Sequence, residues 1–310
     1  MYIGIDIGGT KCAVTASKEN GAIAGKIRFA TGAPEKTLDR ILRAVEELGP
    51  PKAIGINCGG PLDEKSGVIL SPPNLPGWDR IEIVKLLRDR FAVPVKIRND
   101  ANACALAEWR FGAGKGLDNV IFLTCGTGFG GGLILNGRLY SGTTGNAGEI
   151  GHLRLSDHGP AGYGKMGSVE GFCSGTGIRE TGRMLAREAL QQGKTPRFLQ
   201  TKALDTFDTA DLAEAAREGD ETALAVFRLC GKMLGRTLAI LCDLLDPQVI
   251  VIGSVYARCR DLLEEPALTE LKKEALAPTA QCTVTVPELG EEIGDMAALA
   301  VAMEAYDELY

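Results

Sequence analysis

The chain has 310 residues, long for one core, with 45% hydrophobic and 24% charged residues, a balance that excludes a disordered chain and favours two lobes. A formal net charge of −6 excludes the broad basic surface that nucleic-acid backbones select, yet a few backbone donors can still hold a phosphate locally. No apolar run approaches the roughly 18 residues of a membrane span, and Met1–Thr10 has neither the basic start nor the long apolar stretch of a secretory signal, so a soluble, cytoplasmic protein with no membrane partner is expected.

Tyr2 to Ile7 reads as a strand and Cys12 to Ala16 as its hairpin partner, joined at Gly8-Gly9-Thr10, where glycine permits positive φ. Leu38, Ile41, Leu42, Val45 and Leu48 recur at helical spacing, and Ala53 to Asn57 is a short apolar strand. Three prolines and a glycine between Ser71 and Trp78 demand an irregular loop, after which Asp79 is placed to cap a helix reaching Arg90. Val93 to Arg98 is a strand ending at Asn99-Asp100, and an alanine-rich helix follows from Ala101 to Phe111. The glycine-rich break Gly112 to Gly116 is the expected boundary between lobes. Val120 to Thr124 is a strand, Gly126 to Gly131 a glycine turn, and Gly132 to Leu135 the returning strand. Gly177 to Leu245 is mostly helical with an interruption near Gln191 to Pro196. Gln248 to Ile252 is a buried strand ending at Gly253-Ser254, Cys282 to Val286 a late strand, and the final helix runs from Gly294 to Tyr310 with Asp295 as its cap. The nine cysteines are scattered, never spaced as a CxxC pair, and read as free thiols in a reducing compartment.

The segments Ile3 to Thr10 and Ile121 to Gly128 share one design, an apolar strand followed by a Gly/Thr turn. Such a turn offers several N–H groups to a phosphate with no side chain in the way, although glycines also make tight turns without any ligand. Gly126-Thr127-Gly128-Phe129-Gly130-Gly131 satisfies the spacing of a dinucleotide fingerprint, but a short strand rather than a helix follows it. Gly159 to Met166 is nearly a Walker A loop, with Met166 where the Mg²⁺-binding hydroxyl belongs and no strand-then-helix frame, and is rejected as well. Asp100 follows a strand and opens a helix, where an Asp is most simply a cap.

Taken together these pieces are specific. Asp6-Ile7-Gly8-Gly9-Thr10-Lys11, Asn74-Leu75-Pro76-Gly77-Trp78, Asn99-Asp100-Ala101-Asn102-Ala103, Gly126-Thr127-Gly128-Phe129-Gly130-Gly131-Gly132 and Gly145-Asn146-Ala147-Gly148-Glu149-Ile150-Gly151-His152 stand in an order and spacing that resembles the ROK family (repressor, open reading frame, kinase) over nearly the whole chain. The resemblance implies an α/β, two-lobed actin-like ATPase (ribonuclease H-like) fold, with mixed central sheets flanked by helices and a cleft between the lobes. The smaller lobe is expected at 1–115 plus 294–310 and the larger at 116–293.

It implies further that Asp100 is the catalytic base accepting the proton of the attacking sugar hydroxyl, and that Asn74, Asn99, Glu149, His152 and Glu170 contact the sugar. Gly8, Gly9, Thr10 and Lys11, with Gly126, Thr127 and Gly128, match the two phosphate loops. Gly253 and Ser254 match the family's Gly-Gly turn near the adenosine, and Asp6 the position near Mg²⁺. Family members with structural zinc carry cysteines at positions filled here by Ala161, Tyr163 and Ser168, so no structural zinc is expected. The implied activity is transfer of the γ-phosphate of ATP, with Mg²⁺, to a hexose hydroxyl, the 6-hydroxyl first, as in a glucokinase or N-acetylmannosamine kinase. The alternative is a non-catalytic sugar-sensing regulator or binding module of the same family. A homodimer is the family habit.

Overall fold

Two five-stranded sheets organise the computed structural model, which describes residues 1–19 and 21–309. The chain starts with β1 (Tyr2–Ile7), β2 (Lys11–Ser17) and β3 (Ile23–Ala30), then α1 (Pro34–Leu48), β4 (Ala53–Cys58), the short strands β5 (Leu62–Asp63) and β6 (Val68–Ile69), α2 (Ile83–Phe91), β7 (Val95–Arg98) and α3 (Asp100–Phe111). It continues through β8 (Val120–Cys125), β9 (Phe129–Leu135), β10 (Arg138–Leu139), β11 (Ala161–Gly162), β12 (Lys165–Met166), α4 (Val169–Cys173), α5 (Gly175–Gln191), α6 (Phe198–Thr201), α7 (Thr209–Arg217) and α8 (Glu221–Leu245). It ends with β13 (Val249–Ile252), α9 (Val255–Arg258), α10 (Arg260–Glu274), β14 (Thr283–Thr285) and α11 (Ile293–Asp307).

The first sheet has the order β3-β2-β1-β4-β7, antiparallel from β3 to β1 and parallel from β1 to β7. The second has the order β10-β9-β8-β13-β14, with β9 and β10 antiparallel and β13 and β14 parallel. The order is the same in both sheets, so the sequence echo between 3–10 and 121–128 reflects one topology used twice. Both sheets are mixed and carry helices, the α/β class that the sequence implies. Compactness divides the chain into a first unit, Met1–Phe122 with Gly132–Ala147 and Pro287–Tyr310, and a second, Leu123–Gly131 with Gly148–Val286.

In the first unit Ile3, Ile5, Ile7, Val14, Ile54 and Ile56 form the sheet's buried face with Ile41 and Val45 of α1. Helix α11 is apolar over most of its surface, as a helix buried on most sides must be. It lies so close to β4 that a Cβ on Gly55 would stand 2.1 Å from the Ala302 nitrogen. In the second unit α8 packs on α4, α5, α7 and α10. No helix among the described residues is long and apolar enough to cross a membrane.

Several sequence expectations are corrected here. Strand β3 has no counterpart in the sequence reading: it is an edge strand with no buried residue, half exposed and half intermediate, so its alternation is blurred. Asp79 does not cap α2, which starts at Ile83 after Glu82, because Ile81 first pairs with Ile69 in an isolated bridge. Strand β7 starts two residues after Val93, at Val95. Helix α11 starts at Ile293, so Asp295 lies inside its first turn, buried, and Tyr310 lies outside the described residues. The Walker-like segment is a β11–β12 hairpin turning at Tyr163-Gly164, both at positive φ, which agrees with its rejection as a phosphate loop.

Candidate active site

In the first unit, the turn between β1 and β2 is closed by the Gly8 N–H donating to the Lys11 carbonyl (3.0 Å) and anchored by the Thr31 hydroxyl donating to the Gly8 carbonyl (2.6 Å). The N–H groups of Gly9 and Thr10 have no backbone partner among the described residues, so they are free to meet an anion. Asp6, at the end of β1, accepts a hydrogen bond from Asn57 Nδ2 (2.9 Å). Burial, then the neighbouring Asp100 and Asp295 carboxylates, raise Asp6 from 3.8 to about 7, against the opposing pull of Asn57 and Lys26. Asp295 is tied to the Thr15 hydroxyl and the Lys26 ammonium. Asp6, Lys11, Arg28, Gly294 and Asp295 are among the residues lining a cavity of about 270 Å³.

Asn99, and not Asp100, caps α3: its Oδ1 accepts from the Asn102 N–H at 2.8 Å. The simple reading of Asp100 as a cap therefore fails, and its carboxylate accepts no hydrogen bond among the described residues. It is open to solvent, yet enough protein surrounds it that desolvation raises its pKa. A Cβ placed on Gly59 would lie 3.4 Å from Asp100 Oδ2 and 3.6 Å from Asn74 Nδ2, so these two side chains converge on one point. Asn74 stands on the proline-rich loop, which buries Leu75 and Trp78 completely enough to fix it, and the Trp78 indole donates to the Gly32 carbonyl at 3.3 Å. The Asn74 carbonyl also abuts Gly9, whose added Cβ would stand 2.6 Å from it. The β1–β2 turn, Asn74 and Asp100 are thus neighbours within one unit.

In the second unit the turn after β8 is closed by the Gly126 N–H donating to the Gly128 carbonyl at 3.0 Å, and the Gly126 carbonyl accepts from Gly175 at 2.8 Å. Gly253 donates to the Leu123 carbonyl at 2.9 Å, which brings Ser254 beside this turn; its Oγ would be 3.8 Å from a Cβ on Gly126. Ser254 adopts φ 60°, ψ −120°, a conformation that costs any residue but glycine.

Glu149 precedes and His152 ends the single turn Ile150–His152, and both residues are exposed. Glu170 lies in the first turn of α4, which Ser168 Oγ caps, and its Oε2 accepts from the Phe129 N–H at 3.0 Å. The β11–β12 hairpin holds this group. The Tyr163 ring meets the His152 ring edge-on at 5.2 Å, Lys165 Nζ donates to the His152 carbonyl at 2.6 Å, and a Cβ on Gly162 would stand 2.6 Å from Glu170 Cβ. The described residues contain no cluster of His, Cys, Asp or Glu able to hold a metal, and the residues of the hairpin do not fit zinc. The loop is instead stitched by backbone bonds from Leu155 to Gly167 (2.8 Å), Val169 to Leu153 (2.9 Å) and Gly167 to Pro160 (2.9 Å).

The structure thus gathers Asp6, Gly8 to Lys11, Asn74, Asn99 and Asp100 in one unit, and Gly126 to Gly128, Glu149, His152, Glu170, Gly253 and Ser254 in the other. Four participants escape the sequence: Asn57, Glu64, Asp295 and Lys165 earn their places through partners far along the chain.

The ROK family model matches residues 2–305. A glucokinase of Streptomyces coelicolor is 32% identical over 98% of this chain and 98% of its own. Among solved structures, a ROK family glucokinase from Streptomyces griseus in complex with glucose and AMPPNP is 32% identical and superposes with a TM-score of 0.75, covering 98% of this chain and 99% of that one. A ROK hexokinase from Thermus thermophilus is 31% identical with a TM-score of 0.80, covering 99% of both chains. With the family model matched over nearly its whole length and a 32% identical relative covered end to end, the chain belongs to the ROK family.

Proposed function

We propose that this protein is an ATP-dependent hexose kinase that transfers the γ-phosphoryl group to a sugar hydroxyl, the 6-hydroxyl of glucose first, with Asp100 as the general base. The observation that carries the reading is the Asp100 carboxylate: released from capping by Asn99, unpaired among the described residues, open to solvent and raised in pKa. A general base needs that combination of freedom and basicity. Glucose leads because the similar Streptomyces griseus enzyme was solved with it and with AMPPNP.

Asp100 accepts the proton of the attacking hydroxyl, while Asn74 and the Nδ2 of Asn99 orient the sugar from the same side. Glu149, His152 and Glu170 supply acceptors and a donor for the remaining hydroxyls. The N–H groups of the Gly8–Lys11 and Gly126–Gly128 turns hold phosphates, and Gly253-Ser254 meets the nucleoside. Positioning and charge neutralisation are what phosphoryl transfer asks of a protein. Mg²⁺ arriving with ATP would be met by Asp6, beside which the Asn57 Oδ1 is buried with no partner among the described residues. That cation supplies charge neutralisation on the phosphates. The nine cysteines are all free, which suits a reducing cytosol.

The test is Asp100→Asn in a coupled assay for sugar-dependent ADP release. Loss of turnover by about 10²–10⁴-fold with glucose binding retained is expected from removal of one general base. A variant keeping half the wild-type kcat removes Asp100 from the mechanism, and glucose binding without ADP release in the wild type favours the sensing module.

A further inference from the structure

The segment carrying Asp100 is gripped by a side chain that no local sequence signal marks. Glu64 sits in the turn between β5 and β6, where Asp63 closes the backbone by accepting from the N–H groups of Lys65 (3.0 Å) and Ser66 (3.2 Å). That turn sends the Glu64 carboxylate inward, and its side chain is only 4% exposed. One oxygen, Oε1, accepts from the Asn99 N–H (3.0 Å) and from Asn102 Nδ2 (3.0 Å). The other, Oε2, accepts from Arg98 Nη1 at 2.7 Å. Arg98 in turn forks onto Glu304 of α11, with Nε to Oε2 at 2.9 Å and Nη2 to Oε1 at 2.7 Å.

This arrangement is more than an ion pair. Residues 98, 99 and 102 all bond to Glu64, and Asn99 in turn caps the helix whose first residue is Asp100. The Asn99 N–H precedes the helix and has no carbonyl to meet there, so Glu64 satisfies a donor that the fold would otherwise bury unpaired. Asn102 is fully buried, and its Oδ1 already lacks a partner, so Glu64 provides the single bond its side chain makes among the described residues. Arg98, in a bidentate fork with Glu304, ties the assembly to the buried helix α11.

We infer that Glu64 is the positioning residue for the base: it fixes the backbone step Asn99-Asp100, and with it the direction of the Asp100 carboxylate, against the rigid strand–helix core. Glu64 touches no substrate; it acts through Asn99 and Asn102. The catalytic consequence rests on the kinase reading above, while the structural consequence does not.

Two readouts separate these. Hydrogen–deuterium exchange on the ligand-free protein follows the amides of Asn99 to Ala103, and steady-state kinetics follows sugar-dependent ADP release. Glu64→Ala is expected to speed exchange of that segment by about ten-fold or more, leaving β1 and β4 amides unchanged. It is expected to lower kcat by roughly 10- to 100-fold, the range for a catalytic group displaced by an ångström. Glu64→Gln keeps an acceptor for Asn99 and Asn102 and leaves Arg98 its fork on Glu304, so it is expected to restore protection and most of kcat. If Glu64→Ala does not fold, Glu64→Gln and Glu64→Asp carry the test, with the shorter Asp failing to reach Asn99. Unchanged exchange in Glu64→Ala, or in Glu64→Asp where the alanine variant does not fold, overturns the inference whatever the activity. Faster exchange with kcat unchanged overturns the catalytic half. Faster exchange in Glu64→Ala, with a wild-type protein that turns over no sugar, faults the kinase reading and leaves the grip on Asn99 intact.

Discussion

Replacing Asp6 by Asn is expected to make the protein more stable at alkaline pH and a poorer binder of Mg·ATP. Asp6 is held at about 7 in the folded protein, against an ordinary value of 3.8, chiefly by burial and then by Asp100 and Asp295. A carboxyl raised on folding binds its proton more tightly in the native state. The stability it allows is therefore complete below about pH 4 and is lost as pH climbs towards 7, above which the full cost is borne. A rise from 3.8 to about 7 corresponds to a ceiling of about 4 kcal/mol, and solvent reaching the partly accessible carboxylate reduces the expected effect to about 2 kcal/mol. Asn is neutral throughout and keeps an oxygen for the Asn57 Nδ2 donor now bonded to Asp6 at 2.9 Å. Urea unfolding of both proteins at pH 4.5 and pH 8 reads the difference: a small gain for the variant at the lower pH and a clearly larger one at the higher. Mg·ATP should raise the midpoint of the wild type more than that of the variant. A variant less stable than wild type at pH 8, or a gain of the same size at both pH values, refutes the reasoning.

Two further predictions follow from local geometry. Ser254 stands at φ 60°, ψ −120°, so Ser254→Gly should stabilise the protein by about 1 kcal/mol, read as a higher melting temperature; a lower one shows that the hydroxyl compensates for the backbone strain. Removing the hairpin's grip with the pair Tyr163→Ala and Lys165→Ala should raise the glucose KM several-fold while kcat changes little, because His152 and Glu170 lose position and Asp100 does not; an equal fall in kcat with KM unchanged contradicts this.

What was legible in the sequence was local. The hairpin Tyr2–Ile7 with Lys11–Ser17 announces itself because an apolar run meets glycines that must turn, and the same logic finds Val120–Cys125 with Phe129–Leu135. What was hidden depends on partners distant along the chain. Asp295 looks like a cap from its neighbours, but Thr15 and Lys26 claim its carboxylate from across the first sheet. Asp79 has the residue type of a cap, yet the bridge between Ile69 and Ile81 delays the helix beyond it. At Asn99-Asp100 two side chains compete for one capping role, and sequence alone does not show that Asn99 takes it. The loop without the family's cysteines reads as a gap in a family pattern, whereas the structure shows a hairpin built at Tyr163-Gly164 and stitched by backbone bonds.

The claim at the centre is that this chain moves phosphate from ATP to a hexose. Phosphorus NMR of the purified protein with Mg·ATP and, in separate tubes, glucose, N-acetylmannosamine, fructose and allose observes that transfer directly. The account predicts a sugar 6-phosphate resonance growing in step with ADP, glucose first. Spectra in which ADP appears with no phosphorylated sugar in any tube, or in which ATP stays intact throughout, contradict it.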